Sequence, residues 1–195
     1  SNQGSAYIYE RSGPGWIFKA KLTASDPSAD DVFGFDVAIS GQTVVVGAFG
    51  DDFGAATQQG SAYVYVRSNG TWSEQQKLVA GDGAQGDSFG ISVAVSGDTL
   101  VVGASGDDFG AVAGQGSAYV YVRSGTSWSL QQKLFASDGL GQDGFGNSVD
   151  IDADLAVVGA SSDDAGATTN VGAAYAFSRV GTAWSQQGKL VAPTG

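Results

Sequence analysis

Short runs of alternating and apolar residues recur along the chain, parted by glycine- and aspartate-rich turns, and none has helical periodicity. Residues 89–95, Phe-Gly-Ile-Ser-Val-Ala-Val, are short and β-branched, and Ser96-Gly97-Asp98 gives a tight turn after them. Leu100–Ala104 is a continuous apolar run, the pattern of a strand buried on both faces. Gly106-Asp107-Asp108-Phe109-Gly110 is a loop of turn formers. In Ala118–Arg123 the period of two puts Tyr119 and Tyr121 on one face. Ser124-Gly125-Thr126 then turns the chain into a fourth strand, Trp128–Leu134.

This four-strand unit repeats every 56 residues. Gly-Ser-Ala-Tyr starts at Gly4, Gly60 and Gly116, and a decayed Gly-Ala-Ala-Tyr starts at Gly172. Trp16, Trp72, Trp128 and Trp184 keep the spacing, as do Lys21, Lys77, Lys133 and Lys189. A unit that cannot bury its own apolar face must stack on copies of itself. Four short antiparallel strands per unit describe a propeller blade, whereas helical and leucine-rich repeats need helices or shorter periods. The fold expected is all-β, a single β-propeller array over residues 1–195. It has a half blade at 4–24 and full blades at about 33–80, 89–136 and 145–192. A propeller closes with about four to eight blades. Three and a half leave the ring incomplete, so either a second copy of the chain completes it or the chain is part of a longer array.

Phe-Gly at 33–34, 89–90 and 145–146 precedes Gly-Ala at 47–48, 103–104 and 159–160 in three in-register copies. This pattern resembles the FG-GAP repeat, the blade of integrin alpha-subunit propellers and of many bacterial surface proteins, and covers nearly the whole chain. The resemblance implies a non-catalytic binding, adhesion or assembly module at the cell surface or outside the cell, with ligands engaged on the loop face. Calcium-binding members of that family carry an extended Asp-rich loop between the first two strands. Here that turn is only Ser40-Gly41-Gln42 or Ser96-Gly97-Asp98. The third copy has alternating acids, Asp150, Asp152 and Asp154, which make the candidate metal set.

Composition narrows the chemistry. The chain has no cysteine and no histidine, which excludes disulfides and thiolate metal sites and removes the commonest general base. Methionine is absent too, as expected of a processed or excised chain in which only Ser1 and Asn2 precede the repeat pattern. No apolar run approaches the ~20 residues of a membrane-spanning helix. A net charge of −11 disfavours nucleic acid and anionic membrane as partners.

Thirteen of the twenty acids fall in the two loop families that leave a blade on the same side. The arginines and lysines are assigned to the outer strands, so that side is expected to be strongly negative. Asp51, Asp52, Asp107, Asp108, Asp163, Asp164, Asp87 and Asp143 form the candidate ligand-binding set, able to attract cations or a basic partner. Calcium is the cofactor such oxygen ligands would suit. Against this, aspartates copied with every blade are what Asx-type turns require. The repeated tryptophans are assigned to packing between blades. A glycosidase-like enzyme using paired carboxylates is the alternative function. Its candidates are the acids that break the repeat: Asp36, which stands where other copies have Ser92 and Ser148, with Asp150 and Asp152.

Overall fold

In the computed structural model, which describes residues 3–164 and 168–192, every regular element is a β-strand. The first two, β1 (Ala6–Ser12) and β2 (Gly15–Leu22), form an isolated antiparallel hairpin, the half blade. Blade 1 contains β3 (Val37–Ser40), β4 (Thr43–Ala48), β5 (Ser61–Ser68) and β6 (Thr71–Leu78). Blade 2 contains β7 (Phe89–Ser96), β8 (Thr99–Ala104), β9 (Ser117–Ser124) and β10 (Ser127–Leu134). Blade 3 contains β11 (Phe145–Asp152), β12 (Leu155–Ala160), β13 (Ala173–Val180) and β14 (Ala183–Val191). Each blade is a four-stranded sheet in sequence order, with antiparallel neighbours throughout. The architecture is an incomplete propeller of three and a half blades. Blade 1 differs only in its shorter first strand. Two backbone bonds still close that end, Gly34 N–H donating to Gly47 O and Gly47 N–H to Asp36 O, each at 2.9 Å.

The apolar pattern produces three cores, one at each place where a sheet lies on the next. Val45, Ala62 and Val64 of blade 1 pack against Phe89, Val93, Leu100, Val102, Tyr119 and Tyr121 of blade 2. Ala94, Val101, Ala118 and Val120 of blade 2 meet Phe145, Val149, Ile151, Ala156 and Val158 of blade 3 in the same way. Ile8 and Leu22 of the half blade cover Val44, Val46, Tyr63 and Tyr65. Successive valines in β4 and β8 thus point to opposite faces, each face buried by a different neighbour, which is why these runs are apolar without alternation. Within blades 1 and 2 the motif phenylalanine sits edge-on to both strand-three tyrosines, with Phe89 to Tyr119 at 5.3 Å and Phe33 to Tyr63 at 5.3 Å between centroids.

The two halves of the Phe-Gly and Gly-Ala pattern meet between blades. A Cβ on Gly103 would overlap the carbonyl oxygen of Gly146, and one on Gly47 that of Gly90. Gly90 itself has φ +90 and lies against the Ser61 carbonyl. The Phe-Gly corners of blades 2 and 3 therefore press, backbone on backbone, into the Gly-Ala strand of the blade before, while Gly34 of blade 1 lies against Ser5 of the half blade. Only glycine permits such an approach at that φ.

Candidate functional site

The loop side of the arc is built from one repeated cluster. The first Asp of each Gly-Ala-x-x-Asp-Asp loop is held by the strand-four lysine of its own blade. Lys77 Nζ lies 2.6 Å from Asp51, Lys133 lies 2.7 Å from Asp107, and Lys189 lies 2.8 Å from Asp163. The same ammonium groups reach an aspartate from the preceding interblade loop: Asp26 at 2.8 Å, Asp82 at 2.7 Å and Asp138 at 2.9 Å. A tyrosine hydroxyl donates into each cluster, from Tyr63 to Asp26 at 2.7 Å, Tyr119 to Asp82 at 3.0 Å and Tyr175 to Asp163 at 2.6 Å. The lysines, assigned from sequence to the outer strands, thus extend into the acidic loops and neutralise part of them.

The electrostatics follow from this placement. Burial alone would raise the carboxyl pKa of Asp26, Asp82 and Asp138, but hydrogen bonds from the lysine and tyrosine outweigh it and hold all three below the ordinary value. Burial would lower the lysines, yet their aspartate partners raise Lys77, Lys133 and Lys189. Burial pushes Tyr63, Tyr65, Tyr119, Tyr121 and Tyr175 up, assisted by neighbouring carboxylates.

The remaining acids of the candidate set close turns. Asp87 accepts from Ala84 N–H and Asp143 from Leu140 N–H, each at 2.6 Å, and Asp31 accepts from Ser28 N–H at 2.5 Å. All three are buried, and desolvation raises their pKa, with Asp107 and Asp108 adding to it at Asp87 and Asp163 and Asp164 at Asp143. Asp52, Asp108 and Asp164 accept the backbone N–H groups of Gln58, Gly114 and Asn170 at 2.8 Å each. Every one of the eight candidate ligand residues therefore has a partner within the chain.

The acids that break the repeat also lie apart in role. Asp36 accepts from Ser92 Oγ at 2.9 Å and from Val93 N–H at 2.8 Å, stitching blade 1 to blade 2. Ser92 Oγ in turn accepts from Val149 N–H at 3.1 Å, so the serine of the next blade performs the same task. Asp154 is paired with Arg179 at 2.7 Å, while Asp150 accepts from the adjacent Ile151 N–H at 2.9 Å and Asp152 is exposed. Among the described residues no group of three or more acidic side chains is arranged to hold a metal ion.

An incomplete arc is expected to leave the apolar sides of its terminal blades exposed, and at the half blade the structure shows which residues these are. Val37 and Ile39 of β3 are 54 % and 62 % exposed, whereas Val93, which matches Val37 in blade 2, is 4 % exposed. Beside them Tyr7, Tyr9, Trp16 and Phe18 form an exposed aromatic surface; Trp16 is 68 % exposed where Trp128 is 4 %. Between β1 and β3 runs an open groove of about 380 Å³, lined by Tyr7, Ile8, Tyr9, Val37, Ile39 and Val44 among others. The signal was present in the sequence as the missing first pair of strands. The repeat assigned these aromatics to packing; Trp128 and Trp184 pack against the fourth strand of the preceding blade, a neighbour that Trp16 lacks among the described residues.

No curated protein sequence matches the chain. The FG-GAP repeat profile matches residues 16–65, 72–121 and 128–177, each running from the fourth strand of one sheet to the third strand of the next. Its repeat therefore straddles the joint between blades, where the Phe-Gly corner meets the Gly-Ala strand. With three matches covering most of its length, the chain belongs to the FG-GAP repeat family.

Proposed function

We propose that the chain is a non-catalytic protein-binding or adhesion module that works at the cell surface or outside the cell. The observation that carries this reading is the occupancy of the loop acids. Asp51, Asp107 and Asp163 are buried ion-pair partners of lysines, and the other candidate acids cap loops, so carboxylates are committed to holding blades together. A general acid and a base need a pair of carboxylates facing a common substrate space. The repeat gives every blade the same cluster and specialises none. Membership of the FG-GAP family supports a surface or secreted location, and the apolar flank at the half blade supports a protein partner.

Protein and glycan arrays probed with the labelled chain, with and without calcium, test this reading. Saturable capture of a protein or glycan is expected, in calcium or without it. No capture above background in either condition would contradict the proposal, and turnover of pooled glycan substrates that Asp36→Asn abolishes would replace it with the carbohydrate-active alternative.

A further inference from the structure

The outer hairpin of each sheet turns through two residues, and one of these turns differs in its chemistry. The turns are Gly13-Pro14, Asn69-Gly70, Gly125-Thr126 and Gly181-Thr182. Gly13, Gly125 and Gly181 have φ of 61°, 63° and 64°, and Asn69 takes their place at φ 51°. Gly70 follows at φ 83°, so both central residues are left-handed, the type I′ turn that Asn-Gly favours. The pair Ser68↔Thr71 closes the turn, and residues 68–71 are all exposed. A Cβ on Gly70 would meet nothing within 4 Å. Among the described residues no hydrogen bond engages Gly70 N–H or the Asn69 carboxamide.

We propose that Asn69 is a site of spontaneous covalent modification, losing its side-chain amide through a cyclic imide shared with Gly70. The Gly70 nitrogen attacks Asn69 Cγ. The new N–Cγ bond replaces the Cγ–Nδ2 bond, and the Gly70 proton leaves with the amide nitrogen as ammonia. Water then opens the ring. Its addition at Cγ gives aspartate; its addition at the Asn69 backbone carbonyl gives isoaspartate, whose main chain runs through Cβ and Cγ. Ring closure needs a following residue with no side chain in the way and a turn able to leave its folded backbone. Asn147 and Asn170 are exposed too, but Ser148 and Val171 follow them. Glycine also follows Asp82, Asp138 and Asp143, and those carboxylates are held. Lysine and tyrosine hold Asp82 and Asp138, and Asp143 is buried on Leu140 N–H. Either product adds a negative charge to blade 1 at the end opposite the loop acids. Aspartate keeps the turn, since Asp-Gly also suits type I′. Isoaspartate adds a backbone atom between Ser68 and Thr71 and breaks the two-residue loop that sets β5 against β6. The reaction consumes only water and is independent of what the module binds.

The test is timed incubation of the full chain at neutral and mildly alkaline pH, below its melting transition. Peptide mapping by mass spectrometry, with fragmentation that separates aspartate from isoaspartate, reads the outcome. A free peptide of residues 66–73 runs alongside as the unrestrained reference. Conversion is expected first at Asn69, and faster at the higher pH because the attacking nitrogen must shed its proton. Its rate should lie within about a hundredfold of the peptide's, since an exposed hairpin tip opens at small cost. Asn69→Gly, the residue of the other three copies, should abolish the change and leave the melting temperature in place. Amide exchange at Thr71 should speed up by about tenfold or more in the isoaspartate fraction and stay unchanged in Asn69→Asp. A rate at Asn69 below that range, or earlier conversion at Asn147, Asn170 or an Asp-Gly pair, would overturn the proposal. Equal exchange in the isoaspartate fraction and in Asn69→Asp would contradict the loss of the turn.

Discussion

The joint between blades 2 and 3 and the joint between the half blade and blade 1 use the same repeat and hold it differently. At the first, Gln132 clasps the backbone of Trp184, accepting from its N–H at 2.8 Å and donating to its carbonyl at 2.9 Å. Gln131 accepts from the Trp184 indole at 2.8 Å, Arg179 donates to Thr99, and Ser96 Oγ accepts from Ala153 N–H at 3.1 Å. The joint between blades 1 and 2 reproduces this set with Gln76, Gln75, Arg123, Thr43 and Ser40. At the half blade, Lys19 and Ala20 stand where those glutamines belong, and the Trp72 indole N–H lacks a partner among the described residues. Arg67, whose own turn has Gln42 in place of Asp98 or Asp154, instead pairs with Glu10 of the half blade. The Asp-Tyr-Lys cluster is common to all three joints, as is the backbone bond from the N–H of Phe33, Phe89 and Phe145 to the carbonyls of Gln3, Gln59 and Gln115. The clasp is therefore the part of the repeat that depends on a complete neighbour, and the acidic cluster is the part every blade carries.

The largest expected effect comes from one motif position met in two settings. Gly103→Ala forces a Cβ into the Gly146 carbonyl and should cost about 3 kcal/mol, within the range for overpacked sites. Gly159→Ala occupies the same place in blade 3, where the nearest atom is Ser148 Cβ at 3.4 Å, and should change stability by less than about 1 kcal/mol. Thermal melts of the two variants check this. Equal losses would mean that the terminal flank is covered.

Next in size is the cluster. Asp107→Ala removes the buried carboxylate that Lys133, Ser117 and Tyr119 share, for a loss of about 2–3 kcal/mol by denaturant unfolding. Asp154→Ala breaks the exposed partner of Arg179 and should cost below about 1 kcal/mol. Smaller again, Gln132→Ala loses both bonds to Trp184 and should cost about 1–2 kcal/mol. The converse, Ala20→Gln, should stabilise the half-blade joint by a few tenths of a kcal/mol to about 1 kcal/mol if the clasp can be rebuilt there. No gain would show that the incomplete blade is displaced from the position the clasp requires.

The pH response separates two classes of aspartate. Asp26, Asp82 and Asp138 titrate below their ordinary 3.8, so their contribution is present above that value and lost as the pH falls through the lowered one. Asp31, Asp87 and Asp143 titrate above 3.8 and act oppositely, favouring the fold as they protonate. Stability should accordingly rise slightly as acid is added down to about pH 3.8, and then fall. At the alkaline end, the raised tyrosines and lysines stabilise the fold below their ordinary values of 10.0 and 10.5, and this is lost as the pH rises beyond them. Tyrosine absorbance and circular dichroism recorded together should then show phenolate appearing with unfolding.

Much of the architecture could be read from the sequence because a strict period reports equivalent positions without any knowledge of contacts. The strands and the burial of Phe33, Phe89 and Phe145 follow from it. What the period does not report is which copies touch. Lys133 reaches Asp82 of the preceding interblade loop across 51 residues, and Trp128 meets Gln76 of the preceding blade across 52. For the same reason, the loop acids appear in sequence as an uncompensated negative face, while in space their lysines stand among them. Trp16 shows the converse: identical in sequence to three packed tryptophans, it is exposed because burial depends on the neighbour rather than on the residue.

Native-state hydrogen exchange resolved along the chain tests the dependence of each blade on its neighbours most directly. Protection is predicted to be highest in β8 and β9, which are covered on both faces, lower in blade 3, and lowest in β1 and β2. Uniform protection across all four sheets, or a half blade as protected as blade 2, would contradict the account.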